Sequence, residues 1–141
     1  VQAGFDIEAR VLSRHRYFFG REAKFSPIDL ALGWQEMSRR EVLDKMVIYQ
    51  MGRWYFYRYK TPPIPVAEIV NQSANMHLIP QTGEIERTIK KARRGNIVHF
   101  KGFLVSLKAD DGWYWNSSLT RSDSGNHSCE VVFVTEFRIV E

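Results

Sequence analysis

Cysteine is nearly absent from this sequence, which has 141 residues and a single Cys, Cys129. One cysteine excludes a disulfide within the chain, the Cys-rich zinc spacings and the CxxC redox pair. The four histidines show no HxxxH or HxH spacing, so we expect no metal site and no cofactor. The Walker A loop and the GxGxxG motif are also missing, which leaves nucleotide binding of those two kinds without support.

Long hydrophobic runs are missing too, and no stretch approaches the length that crosses a bilayer. The chain begins at Val1 rather than at Met. We therefore expect a processed or truncated start, with a signal or membrane anchor ahead of residue 1. A lone thiol is compatible with the cytoplasm and with the bacterial periplasm.

Acidic residues are the minority among the charged ones: 16 Asp and Glu stand against 20 Lys and Arg, for a net charge of +4 and a pI near 9.3. This mild excess favours contact with an anionic surface such as phosphate, a lipid headgroup or a cell-wall polymer. A dedicated nucleic-acid domain concentrates its charge on one face more plainly. Nucleic acid is therefore not the partner we expect.

Strand-forming patterns are abundant: aromatic residues make up 13% of the chain, and rings suit a pleated, half-buried surface. Apolar patterning predicts strands at residues 5–14, 54–60, 75–80, 97–108, 113–119 and 130–140. Gly102 interrupts the strongest of them, which indicates a bulge or tight bend in a curled sheet. The sequence predicts one α+β domain over residues 1–141, with a curved, mostly antiparallel sheet or small β-barrel and three to four short helices.

Two short helices are predicted from their starting residues. Ser26-Pro27 is typical of an N-cap followed by the first helical position, and this helix would end near Gly33. Ser38 with Glu41 three residues later predicts a capping box for the second helix.

Cationic side chains mark two candidate anion sites. A helix is predicted at residues 83–94, and its basic C-terminal half complements the helix dipole; the candidate residues there are Lys90, Lys91, Arg93 and Arg94. Such a charge run is more often simply a solvated face. Arg121 lies among small hydroxyl residues at 117–125 and could hold a carboxylate or phosphate. The alternative is a loop whose Asp and Ser side chains satisfy its own backbone.

The stretch RWYFYRYK, residues 53–60, carries five aromatic rings and three positive charges. In an extended chain Trp54 and Phe56 point to one side, whereas Tyr55, Tyr57 and Tyr59 point to the other. Both sides are bulky, which favours a strand between a core and a covering element. A platform for stacking nucleic-acid bases would instead turn its rings to solvent. We expect these rings mostly to fill the interior.

Three residues in the second half of the chain suggest a thiol enzyme. His77 ends the extended segment SANMH, Cys129 starts a strand, and Arg138 lies nine residues further along. This order is similar to that of sortase-type transpeptidases, in which a β-barrel presents a thiolate, a His and an Arg. The resemblance implies Cys129 as nucleophile, His77 as proton carrier and Arg138 as the stabiliser of the oxyanion. The alternative is a buried structural thiol.

Two wider stretches resemble a group of bacterial proteins that carry one N-terminal membrane anchor ahead of such a domain. They are SPIDLALGWQEMS with RWY, and SANMHLIP with GWYWNSSLTRSDSG and the CE that follows. The resemblance supplies no activity and no catalytic residues. It implies an extracytoplasmic placement, periplasmic and membrane-anchored in the full-length form, with a cytoplasmic placement as the alternative.

Three functions follow from these observations. The first is a non-catalytic extracytoplasmic domain that binds a protein partner or a cell-envelope component, and we expect this one. The second is a sortase-like transpeptidase or peptidase that uses Cys129, His77 and Arg138. The third is an oligonucleotide-binding barrel for single strands, which would use the strand at 97–108 together with Arg53, Arg58, Lys90, Lys91, Arg93 and Arg94. The oligomeric state stays open.

Overall fold

The computed structural model describes residues 3–18, 26–51, 54–105, 107–108, 114–115 and 129–141. The strands are β1 (Ala3–Arg16), β2 (Ile28–Gly33), β3 (Val47–Met51), β4 (Trp54–Arg58), β5 (Ser73–Pro80), β6 (Ile97–Leu104), β7 (Leu107–Lys108), β8 (Tyr114–Trp115) and β9 (Cys129–Ile139). The helices are a 3-10 turn at Gln35–Ser38, α1 (Arg40–Leu43), α2 (Val66–Asn71) and α3 (Gly83–Lys91). Among the described helices, none combines the length and apolarity that a bilayer crossing requires.

Five strands close into a barrel in the order β1-β2-β5-β9-β6, with β6 returning to β1. The β5–β9 pair is parallel, and the other four pairs are antiparallel. Helix α3 connects β5 to β6, which are the third and fourth barrel strands along the chain. The prediction of a small α+β barrel is therefore confirmed, and this arrangement of strands and helix is that of an OB fold.

The barrel interior is filled from alternate positions of its strands. In β6 the side chains of Val98, Phe100 and Leu104 are buried inside, and the Phe100 ring stacks on Phe137 of β9 at 5.5 Å between centroids. Ile89 of α3 is fully buried in the same core, so the helix closes one end of the barrel. This core comes from the period-2 pattern that the sequence shows.

A second core lies on the outside of β2 and β5. The segment between these strands folds back over them as the 3-10 turn, α1, the β3–β4 hairpin and α2. Its buried members are Leu12, Ala31, Met37, Val42, Met46, Ile48, Tyr55 and Ile69. Because the barrel covers one face and this insertion the other, every residue of β2 is buried.

Both predicted helix starts are corrected. The segment after Ser26-Pro27 is strand β2, not a helix, because a short apolar run buried on both faces has no alternation to distinguish it from a helix. The capping box also does not form: α1 begins after Arg39, which makes no side-chain cap. The Arg39 guanidinium instead pairs with Glu36 at 2.6 Å and with Glu41 at 3.3 Å.

Gly102 lies at the predicted bulge, where the β6–β9 register shifts between Lys101 and Gly102. A Cβ at this position would lie inside van der Waals contact of the Phe133 carbonyl oxygen. We expect Gly102→Ala to lower the free energy of unfolding by about 1–3 kcal/mol, because the paired backbone must move. Urea denaturation measures it, with Gly4→Ala on β1 as control because a Cβ there meets open space. Equal midpoints for the two variants would contradict this account.

Candidate functional site

The outer face of β2 and β5, where OB folds commonly hold their ligands, is sealed in this protein by a buried polar network. The fully buried Asp29 carboxylate accepts hydrogen bonds from the Tyr17 hydroxyl at 3.1 Å and from Asn75 Nδ2 at 3.4 Å, and His77 Nδ1 lies 2.9 Å from it. Gln50 of the hairpin donates to Asn75 Oδ1 at 2.8 Å. The network thus ties the hairpin to the barrel and leaves this face no room for a ligand.

The structure separates Arg138 from the other two residues of the proposed thiol trio, whereas Cys129 pairs with Asn75 on β5, two residues before His77. The His77 ring is buried and pairs with Asp29. Arg138 lies nine residues beyond Cys129 on β9, which is roughly 30 Å of strand, and it donates to His99 Nδ1 at 3.0 Å. The side chain of Cys129 lies outside the described residues, so its reactivity stays a prediction.

The outer face of β1, β6 and β9 is balanced in charge. His99 Nε2 lies 2.6 Å from an Asp6 carboxylate oxygen, and Lys101 lies 3.7 Å from Glu136. With Arg138 bonded to His99, the described cations of β6 and β9, Lys101 and Arg138, have acidic or imidazole partners. Between Ile97 and Leu104, the described part of the strand that the oligonucleotide-binding hypothesis invoked therefore presents paired charges rather than a cationic surface.

The β3–β4 hairpin presents a flat apolar face to solvent. The register pairs Val47 with Arg58, Tyr49 with Phe56 and Met51 with Trp54, so these six side chains share one side, which we call the hairpin face. Met51 is 61% exposed, Val47 48%, Tyr49 39% and Trp54 38%. The Tyr49 and Phe56 rings stack at 5.4 Å with an interplanar angle of 20°. These neighbouring exposed side chains make the hairpin face a candidate binding surface.

The expectation that the rings of RWYFYRYK fill the interior holds for one side of the strand only. Tyr55 is buried, and Tyr57 and Tyr59 pack partly buried against the second core, where burial raises the pKa of Tyr57. Trp54 and Phe56 lie on the other side, on the hairpin face. Sequence reasoning missed the partner strand, although the alternation in VIYQM places Val47, Tyr49 and Met51 on a common side.

Cations border the hairpin face at the end where Val47 pairs with Arg58. A cavity of about 610 Å³ opens there between the α1–β3 turn and the end of β4. Its lining residues are Asp44, Lys45, Met46, Val47, Arg58, Tyr59, Lys60 and Thr61. The lining thus carries three cations and one carboxylate.

A second cavity of about 320 Å³ adjoins the first and shares Asp44 with it. Arg10 from β1, Arg40 from α1 and Arg94 from the α3–β6 turn line it, and we call it the arginine cleft. Of the predicted anion residues, Arg94 lies here, whereas Lys90 is paired with Glu86 at 2.7 Å. Lys91 and Arg93 are exposed, and Arg121 and Arg53 lie outside the described residues.

No family model and no curated protein matches this chain. Solved structures that are similar to it include the mitochondrial single-stranded DNA-binding protein Rim1 of S. cerevisiae, with 9% identity, a TM-score of 0.43 and coverage of 100% of this chain and 96% of that one. The selenomethionine-labelled form of the same protein gives 10% identity, a TM-score of 0.36 and coverage of 100% and 97%. Both TM-scores are below 0.5, so the function that we propose for this chain does not rest on this likeness.

Two predictions are nevertheless corrected. The comparisons return single-stranded DNA-binding proteins, contrary to the expected protein or cell-envelope partner and to the expectation against nucleic acid. The chain's own surface combines a stacked ring pair with an excess of cations over carboxylates in the two cavities nearby.

Proposed function

We propose that this domain binds single-stranded nucleic acid, with bases stacked on the hairpin face and phosphates on the cations beside it. The single observation that carries the proposal is the partly exposed Tyr49–Phe56 ring pair bordered by Lys45, Arg58 and Lys60. Aromatic platforms next to cations are how single strands are bound without sequence preference, because every base has a π-face.

The hairpin face favours a single strand over a duplex. In a duplex the faces of the bases are covered by their neighbours, so rings such as Tyr49 and Trp54 would meet only the backbone and the base edges. Unpaired bases can instead lie on exposed rings. A duplex would still be attracted by the cations, but it would gain nothing from the aromatic side chains.

The cations also favour an anionic ligand over an apolar protein segment. A protein partner could cover Val47 and Met51, but it would have to match or desolvate Lys45, Arg58 and Lys60 at the same edge. A nucleic-acid strand supplies one negative charge with each base, which is the combination that this surface presents.

Binding of a labelled oligothymidylate, measured by fluorescence anisotropy, tests the proposal. We expect the single strand to bind more tightly than a duplex of equal length. We also expect the logarithm of affinity to fall with the logarithm of salt concentration with a slope of about −2 or steeper, since the three cations beside the hairpin face each contribute about −0.7. No detectable binding at low salt would overturn the proposal, and equal affinity for the duplex would remove the stacking component.

The extracytoplasmic placement and the membrane anchor ahead of residue 1 stay predictions. They are supported only by the sequence resemblance to anchored bacterial proteins. The proposed binding activity does not depend on either of them.

A further inference from the structure

The arginine cleft gathers three cations from distant parts of the chain. Arg10, Arg40 and Arg94 come from a barrel strand, a helix of the insertion and a turn after α3, and they line one cavity of about 320 Å³. Asp44 is the one carboxylate among its described lining residues. The lining therefore carries an excess of positive charge, unlike the balanced outer face of β1, β6 and β9.

One guanidinium of the cleft, that of Arg10, is held in place by backbone carbonyls, and so is that of Arg14 on the same strand. Arg10 donates from Nε to Ser38 O and from Nη1 to Gly95 O, both at 2.7 Å, and Arg14 donates from Nη1 to Ala92 O at 2.7 Å. These bonds use only one or two of the five N–H donors of each guanidinium. These donors are already ordered in the folded protein. Binding of an anion to them therefore costs little further side-chain entropy.

The surroundings of the cleft add further positive charge. Arg14 has its pKa lowered, first by burial and then by the charges of Arg93 and Arg16. Neighbouring like charges repel one another, and a bound anion relieves that repulsion. The region at the end of α3 is therefore suited to an anionic group.

The cleft adjoins the site described above. It shares Asp44 with the larger cavity, and that cavity reaches Val47 and Arg58 of the hairpin face. A strand that stacks its bases on the hairpin face can therefore extend its backbone past the α1–β3 turn into the cleft.

We infer that the arginine cleft is a second subsite, which binds backbone phosphates of the same single strand through Arg10, Arg40 and Arg94 and contacts no base. This inference rests on the proposed function and extends it. Arginine suits the role because its planar fork matches the phosphate oxygens. Contacts to phosphate carry no sequence information, so the subsite raises affinity equally for every sequence.

Alanine variants of Arg40 and Arg94 test the inference, because neither side chain makes a described hydrogen bond that supports the fold. We expect each variant to weaken oligothymidylate binding about tenfold. This is the lower end of the range for the loss of a hydrogen bond to a charged group. Each should also reduce the magnitude of the salt slope by about 0.7. Lys101→Ala is the matched control, since it also removes one cation but lies on the charge-balanced face. It should leave both quantities unchanged.

An abasic oligonucleotide separates phosphate binding from stacking on the wild-type protein itself. We expect it to bind weakly, to lose binding in Arg94→Ala and to keep it when the rings of the hairpin face are removed. If normal oligonucleotides bind but the abasic strand does not, and the arginine variants behave like Lys101→Ala, the subsite is refuted while the proposed function stands. If no oligonucleotide binds the wild type, both fail.

Discussion

Replacing Tyr49 and Phe56 together with alanine is expected to lower the affinity for a single-stranded oligonucleotide by about 30-fold or more. Stacking of a base on an aromatic side chain contributes about 1–3 kcal/mol as measured by alanine substitution, and two rings are removed. Affinity for a duplex, which the cations alone attract, should change little. Anisotropy titrations of both ligands at one fixed salt concentration give the comparison.

Met51→Ala is the matched control for this double variant. Met51 lies on the same hairpin face and is 61% exposed, but it has no ring. Its replacement should leave single-strand affinity within about threefold, because only a small apolar contact is lost. If the methionine variant weakens binding as much as the loss of both rings, the hairpin face acts as an apolar contact surface and the stacking interpretation fails.

The folding of the double variant can be judged in advance from the structure. Tyr49 is 39% exposed and faces away from the barrel, whereas the side chains that anchor the hairpin, Ile48 and Tyr55, point to the opposite side and are buried. The hairpin should therefore stay attached when the outer rings are removed. Unchanged urea denaturation would establish that lost affinity reflects lost stacking.

Asp29→Ala is expected to lower the free energy of unfolding by about 3–5 kcal/mol, because it removes one partner from a buried charged network. The carboxylate is fully buried and contacts Tyr17, Asn75 and His77. Without it, these polar groups remain buried with fewer partners, and a buried polar group that loses its partner is costly. Chemical denaturation followed by circular dichroism measures the change.

Asp6→Ala provides the comparison, because Asp6 also pairs with a histidine, His99, at 2.6 Å. The Asp6 side chain is 59% exposed, and exposed ion pairs contribute only about 0–1 kcal/mol. The same chemical change should thus have a small effect on the surface and a large one under the hairpin. Similar values for both variants would refute the structural role of the Asp29–His77 pair and reopen a catalytic role for His77.

The strands of the barrel could be predicted from the sequence where one face meets the core and the other meets water. The structure has β1, β6 and β9 at the predicted strands 5–14, 97–108 and 130–140, and burial alternates for that reason over residues 4–10, 97–104 and 135–140. Strand β2 could not be distinguished from a helix because the insertion covers its second face. The segment that covers β2 comes later in the chain, so the residues of β2 contain no pattern that predicts it.

The sequence predicts which side chains of β4 share the hairpin face, but not whether that face meets water. Alternation in residues 54–58 determines that Trp54 and Phe56 share a side, and this grouping is what the structure has. Which side meets water depends on how the hairpin packs on the barrel. That packing is decided by Ile48 and Tyr55 in the second core and by the Gln50–Asn75 hydrogen bond.

By itself, the sequence determined the barrel class, the bulge at Gly102 and the side on which each ring of RWYFYRYK points, because these features depend on neighbours along the chain. The tertiary structure alone decided that His77 is buried beside Asp29 and that Arg10, Arg40 and Arg94 line one cleft. Contacts between residues far apart in the chain arise only when the barrel closes and the insertion packs on it. The spacing of these residues in the sequence therefore does not predict their contacts.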